Sequence, residues 1–335
     1  MIEINSLVVK YGEFIAVNGI DLQIEEGEFF TFLGPSGCGK TTTLRSIAGF
    51  ERPADGSIIV DGVDLKSLEP EQRKIGFVFQ NYALFPSMTV AQNIGYGLKV
   101  RKVNKAEIEE RVKATAEKVG ISEHLDKRIS ELSGGQQQRI AVARALVVEP
   151  KILLMDEPLS NLDAKLRISM RQEIKKLQKE LKITTIYVTH DQEEALSISD
   201  RIAVFNVGKI DQIGTPIQVY ENPETEFVAR FIGDIMHLQG RLAQEIIDDL
   251  KIDSEVRLFV RPQNIHMLSH ESVTKDMYLI RISVTGFDFL GASTKIQGVT
   301  SDGFALECQV FGRNPEIQVG HEILFGISKS DILKY

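Results

Sequence analysis

The chain has 335 residues, 43% of them hydrophobic and 26% charged, and a formal net charge of −8. That length suggests about two domains, each able to bury a core of its own, and the acidic balance argues against general attraction to nucleic acid. No apolar run approaches the ~18–20 residues of a membrane helix, and Met1-Ile2-Glu3-Ile4 lacks the start of a signal peptide, so a cytoplasmic location is the expectation.

Along the first ~232 residues, strand-like and helix-like segments alternate. Glu28–Leu33 is a short apolar run ending at a glycine-rich turn, and Lys40–Gly49 reads as a helix closed by glycine. Ile75–Phe79 is a short strand. Asn104 with Glu107 three residues on marks a helix start, followed by Ile108, Val112 and Val119. Lys151–Asp156 holds the continuous apolar core Ile152–Met155, as expected of a strand buried on both faces. Leu162, Leu166, Met170, Ile174, Leu177 and Leu181 line one side of a long amphipathic helix, and Thr184–Thr189 is β-branched and strand-like. The alternation argues for an α/β core with a largely parallel sheet.

After about Ile235 the pattern changes. Arg257–Arg261, Tyr278–Thr285, Thr294–Val299, Phe304–Phe311 and Glu322–Ile327 read as short strands, punctuated by glycines at 286, 291, 298, 303, 312 and 320. Five such strands in about 100 residues suggest a small OB-like β-barrel. Two cysteines make no disulfide framework; Cys308 alternates with Phe304, Leu306 and Val310 and reads as a small buried strand residue. The division expected is 1–235 and 236–335, with Gly214–Gly233, containing Pro216 and Pro223, as connector.

Gly34-Pro-Ser-Gly-Cys-Gly-Lys40-Thr41 matches G-x-x-x-x-G-K-[ST] in full, after a strand and opening a helix. Its glycines let backbone N–H groups wrap phosphate oxygens, and the helix N-terminus favours negative charge. Ser36, Gly37, Cys38, Gly39, Lys40, Thr41 and Thr42 are therefore candidate nucleotide-binding residues; Lys40 would reach the β- and γ-phosphates and Thr41 would ligate Mg²⁺. Ile152-Leu-Leu-Met-Asp156-Glu157 is the acidic strand that pairs with such a loop. Asp156 would hold Mg²⁺, and Glu157 would polarise the attacking water as general base.

Leu132-Ser-Gly-Gly-Gln-Gln-Gln-Arg139, between these two motifs, resembles the signature of ATP-binding cassette (ABC) ATPases. The resemblance covers essentially the whole chain and implies a P-loop NTPase nucleotide-binding domain with an OB-like (TOBE-type) regulatory domain. It also assigns further residues. Gln80 resembles the glutamine that contacts Mg²⁺ and water, and His190 the switch histidine on the γ-phosphate. Tyr11 resembles the aromatic that stacks on adenine, with packing into the N-terminal sheet as the alternative. Ser133, Gly135 and Gln136 would serve an ATP held by a second copy of the chain, and Ser160-Asn-Leu-Asp163 resembles the loop crossing that dimer interface. The usual alanine of this loop is Asn161 here, with little consequence expected.

The resemblance is nearest to import ATPases of the maltose, polyamine, ferric-iron, sulfate and phosphonate group. Phe79–Pro86 with Met88–Asn93 looks like an exposed socket for permease helices; an ordinary core segment is the alternative. The implied protein is a homodimer on the cytoplasmic face of the membrane, acting on two permease subunits fed by a solute-binding protein, with no nucleic acid. The tail of about 100 residues favours ferric iron, polyamine or phosphonate over sugars as solute. The competing reading is a non-transport ABC ATPase acting on nucleic acid or the ribosome; a P-loop kinase leaves the signature unexplained. His266 and His270 read as surface histidines rather than a metal site.

Overall fold

The computed structural model describes residues 1–268 and 276–335. The chain divides into two compact units, Met1–Glu224 and Thr225–Tyr335.

The first unit opens with an antiparallel sheet in the order β2-β1-β4-β5, formed by β1 (Ile2–Tyr11), β2 (Phe14–Ile24), β4 (Asp55–Val60) and β5 (Val63–Asp64). Between them in sequence lie β3 (Phe29–Leu33) and α1 (Lys40–Ala48). Then follow β6 (Ile75–Val78), α2 (Val90–Val100), α3 (Lys105–Lys118), α4 (Gly134–Leu146) and β7 (Ile152–Asp156). The unit closes with α5 (Ala164–Leu181), β8 (Thr184–Thr189), α6 (Gln192–Ile198), β9 (Arg201–Asn206), β10 (Lys209–Gly214) and α7 (Pro216–Glu221).

Its central sheet has the order β10-β9-β3-β8-β7-β6. Only β10 runs antiparallel to its neighbour. Successive side chains of a strand point to opposite faces, and here both faces are covered. Phe30, Phe32, Ile152, Leu154, Ile186 and Val188 pack with Ile4, Leu7, Val17, Leu44 and Ile47. Phe29, Leu153, Met155 and Tyr187 point the other way, into a core with Ile94, Val112, Ile140, Met170 and Ile174 from the helices. This explains why every residue of β3, Thr31 included, is buried, and why β7 is apolar from Ile152 to Met155.

The helix ends follow side-chain chemistry. Asn104 Oδ1 accepts from the Glu107 backbone N–H at 2.9 Å, as its spacing suggested. The long helix starts two residues beyond Leu162: Asp163 caps α5, its Oδ1 accepting from Leu166 N–H at 3.0 Å.

In the second unit, α8 (Glu226–Phe231), β11 (Met236–His237), α9 (Gly240–Leu250), β12 (Leu258–Val260) and β13 (Ile265–Met267) precede four longer strands. These are β14 (Met277–Phe289), β15 (Ser293–Thr300), β16 (Ala305–Phe311) and β17 (Glu322–Ser328), with the short β18 (Leu333–Lys334) last. They form antiparallel sheets in the orders β13-β17-β14-β15-β16 and β11-β12-β18, the curled OB-like arrangement expected. Tyr278, Ile280, Ile282 and Val284 alternate inward along β14, joining Leu306, Cys308, Phe325 and the α9 residues Leu242 and Ile246.

Two details correct the sequence reading. Gly286 does not end its strand, while Gly298 lies within one as its bounds implied. Gly286 follows a register shift within β14, and Gly298 lies in mid-β15, where a Cβ would meet Ile282 Cδ1 at 2.6 Å. The expected connector is partly helical: Thr215 caps α7 with Pro216 in its first turn, and α8 follows.

Candidate nucleotide site

Four parallel strands, β3, β8, β7 and β6, end on the same side of the central sheet, and the candidate residues follow those ends. The phosphate loop leaves β3 at Gly34 and enters α1 at Lys40. Two of its glycines are required sterically. A Cβ on Gly34 would lie 2.5 Å from the Phe205 carbonyl oxygen, and one on Gly39 (φ 104°) would lie 2.6 Å from that of Ala16. Lys40 is buried and folded onto its own loop, its Nζ donating to the Gly34 and Pro35 carbonyls at 2.7 Å each. Its Nζ also lies 3.6 Å from Cys38 Sγ; burial raises that thiol above its ordinary range, the nearby ammonium opposing.

Thr41, one residue into α1, donates from Oγ1 to Asp156 Oδ1 at 2.8 Å. Burial at the end of β7 pushes the Asp156 carboxyl up, with the Thr41 bond acting against it. Glu157, the next residue, has a left-handed backbone (φ 44°), a conformation that costs a non-glycine residue about 1–3 kcal/mol and clusters at functional sites. Its N–H donates to the Val188 carbonyl at 3.1 Å, fixing the turn to β8. Both carboxylate oxygens are engaged: Oε2 accepts from Gln80 Nε2 at 3.0 Å, and Oε1 lies 3.3 Å from His190 Nδ1. Gln80 and His190, far apart in sequence, thus meet on Glu157. Tyr11 is 45% exposed, its phenol beside Thr42 and Glu51 and raised chiefly by desolvation. Its open ring is compatible with stacking.

The signature residues make a separate group. Ser133 caps α4 in a reciprocal box, Gln136 Oε1 accepting from Ser133 N–H at 2.9 Å. Gln136 Nε2 also lies 3.0 Å from His124 Nε2. Cβ atoms on Gly134 and Gly135 would crowd Leu162 and Leu166 at 3.0 and 3.2 Å, so these glycines also serve close packing within the chain. Among the described residues, Ser133, Gly135 and Gln136 form no hydrogen bond with Lys40, Thr41 or Glu157.

Several supporting residues escaped the sequence reading. Asn161 Nδ2 donates to the Gln80 carbonyl at 2.9 Å, so the departure from alanine has a structural role. Arg167 joins the Leu162 carbonyl to Asp191 Oδ2 at 3.1 and 3.3 Å. Behind His190, Glu194 accepts from the hydroxyls of Tyr187 and Thr189, both at 2.8 Å. Arg144 on α4 donates to the Tyr82 and Ala83 carbonyls at 2.7 Å each, holding two residues of positive φ. These contacts arise only from tertiary folding, and no spacing rule encodes them.

The segment expected as an exposed socket is mixed. Tyr82 and Val90 are core residues, contrary to full exposure. Phe85 is half-buried and packs on exposed Tyr96 with ring centroids 4.5 Å apart. Exposed Phe50 stacks on Phe79 at 5.9 Å. His266 is exposed, His270 lies outside the described residues, and no group of three or more metal-binding side chains occurs among the described residues.

Residues 17–160 match the family described as ABC transporter. The sn-glycerol-3-phosphate import ATP-binding protein UgpC of Brucella abortus is 42% identical over 326 residues, covering 96% of this chain and 93% of that protein. This chain belongs to the ATP-binding proteins of ABC importers. The Fe(3+) ions import ATP-binding protein FbpC of Fusobacterium nucleatum is 46% identical, over 88% of this chain and 81% of its own. The spermidine/putrescine import ATP-binding protein PotA of Nitrosomonas eutropha is 52% identical, over 73% and 67%. Among solved structures, the dimeric post-hydrolysis state of the cassette MJ0796 bound to ADP and Pi aligns with a TM-score of 0.58 and 32% identity, over 64% of this chain and 99% of that one. ABC importer ATPases bind ATP and hydrolyse it to drive transport, and this chain is one of them.

Proposed function

We propose that the chain works as a homodimer on the cytoplasmic face of the membrane, driving two permease subunits supplied by a solute-binding protein. Among the described residues no helix is long and apolar enough to cross a membrane, which fits an ATPase that reaches the bilayer through partners. The observation that carries the catalytic part of this reading is the convergence of Gln80 and His190 on the two oxygens of Glu157.

Glu157 is the general base, accepting a proton from the attacking water while Gln80 and His190 hold its carboxylate in place. Lys40 exchanges the Gly34 and Pro35 carbonyls for β- and γ-phosphate oxygens, and the loop N–H groups with the start of α1 take the rest of that charge. Tyr11 stacks on adenine. Thr41, Asp156 and Gln80 would hold Mg²⁺: a hydroxyl already 2.8 Å from a buried carboxylate is an oxygen-donor set suited to that ion, which when bound neutralises developing phosphate charge. Ser133, Gly135 and Gln136 complete the ATP site of the second copy, as their separation from Lys40 and Glu157 in hydrogen bonding supports, with Asp163 beside them. The mixed surface of Phe50, Phe79, Phe85 and Tyr96 receives the permease helix. The C-terminal unit is regulatory.

Ferric iron, polyamine or phosphonate remains the solute reading, and the UgpC relatives add sn-glycerol-3-phosphate. Glu157→Gln in the assembled complex tests the assignment. It is expected to bind ATP, lose hydrolysis and accumulate as a closed dimer; a chain that stays monomeric with Mg-ATP and hydrolyses at the wild-type rate would falsify base and dimer together.

A further inference from the structure

We propose that Asn161 is a positioning residue for Gln80, setting the direction from which that side chain reaches Glu157. The inference rests on the catalytic reading of Glu157 above. The pairing of β6 with β7 stops at Val78 and Met155, so Gln80 lies beyond the ladder that orders its strand. The backbone after it is the positive-φ pair Tyr82–Ala83. Between ladder and turn, the Gln80 carbonyl is gripped by Asn161 Nδ2 at 2.9 Å. That bond fixes the peptide plane from which the Gln80 amide extends 3.0 Å to Glu157 Oε2.

The donor is itself anchored on both sides. Ser160 Oγ donates to the Glu157 carbonyl at 3.0 Å and Ser160 N–H to the same oxygen at 3.3 Å. On the other side, Leu162 N–H reaches the Leu159 carbonyl at 3.1 Å, Arg167 holds the Leu162 carbonyl, and Asp163 caps α5. The loop carrying Asn161 is therefore pinned to the residue that Gln80 serves. Asn161, Gln80, Glu157 and Ser160 close a ring of contacts around the base. An alanine at 161 has no donor, and an aspartate of the same shape would face the Gln80 carbonyl with negative charge.

The test is steady-state ATP hydrolysis by the full chain, alone and assembled with its permease subunits, for wild type, Asn161→Ala, Asn161→Asp and each in a Gln80→Ala background. A hydrogen bond lost from a positioning contact corresponds to roughly a 3–10-fold fall in kcat. The expected result is a fall in that range for both Asn161 variants, with KM for ATP and the thermal midpoint unchanged. In the Gln80→Ala background the same substitutions should then have no further effect, since residues acting as a unit are not additive. A kcat within twofold of wild type for both variants, or an equal fall with and without Gln80, overturns the proposal. Wild-type hydrolysis by Glu157→Gln would instead remove the reading beneath it and both ideas with it.

Discussion

The two units organise their sheets differently, and the difference decides where chemistry collects. In the first, strands running the same way deliver the phosphate loop, Gln80, Asp156-Glu157 and His190 to one side of the sheet. In the second, antiparallel strands alternate buried and exposed residues, as in β14 from Tyr278 to Thr285, and no comparable cluster forms among the described residues. A parallel sheet with both faces buried leaves only its strand ends free for polar work. An antiparallel sheet with one wet face spends its polar residues on solvent.

That contrast can be broken at several points. The largest effect is expected at Glu157: replacing a general base by its amide lowers kcat by ~10²–10⁴-fold, with the far-ultraviolet spectrum unchanged. A residual rate within tenfold of wild type, by phosphate release, would place the base elsewhere. Next is Phe325→Ala in the second core, where the ring is fully buried. It should destabilise by about 3–5 kcal/mol, read by urea denaturation, while the rate of ATP hydrolysis per folded molecule changes by less than about twofold. A rate falling with stability would show that the second unit reaches the chemistry. Asp163→Ala removes the α5 cap and should cost about 1 kcal/mol; an unchanged midpoint would mean the cap is redundant.

The smallest effect concerns Glu194. Desolvation raises its carboxyl above the ordinary value of 4.5, opposed by the Thr189 and Tyr187 hydroxyls. The folded chain therefore binds this proton more readily than the unfolded chain. The group's contribution is fully present below 4.5 and is lost as pH rises through the higher folded value. Glu194→Gln should flatten that decline, seen as a shallower slope of denaturation midpoint against pH from 4.5 upward. Identical slopes in the two proteins would show that the buried carboxyl is not titrating there.

The candidate site residues could be named from the sequence because each follows a strand, and strand ends follow from short apolar runs: Lys40 after β3, Glu157 after β7, His190 after β8. The supporting residues could not, because Asn161, Arg144 and Arg167 act on main-chain carbonyls brought near only by tertiary folding. Beyond the site, the strands of the N-terminal sheet were given no bounds and α9 went unread. The α9 helix begins at Gly240 with positive φ and without a side-chain cap, so it lacks the usual start signal. Gly286 looked like a strand end because a glycine at a register shift within a strand and one that closes it are the same letter.

One guanidinium joins the signature helix to the turn after Gln80. Arg144 stands in the last turn of α4 and grips both carbonyls of the turn that follows Gln80, with its charge 5.6 Å from the centre of the Phe85 ring. Eleven residues earlier, about 16 Å along the helix, Ser133 caps the other end. One helix is thus clamped to a surface patch at one end and carries the signature turn at the other, so Phe85 and Ser133 stand at the two ends of a single hydrogen-bonded element.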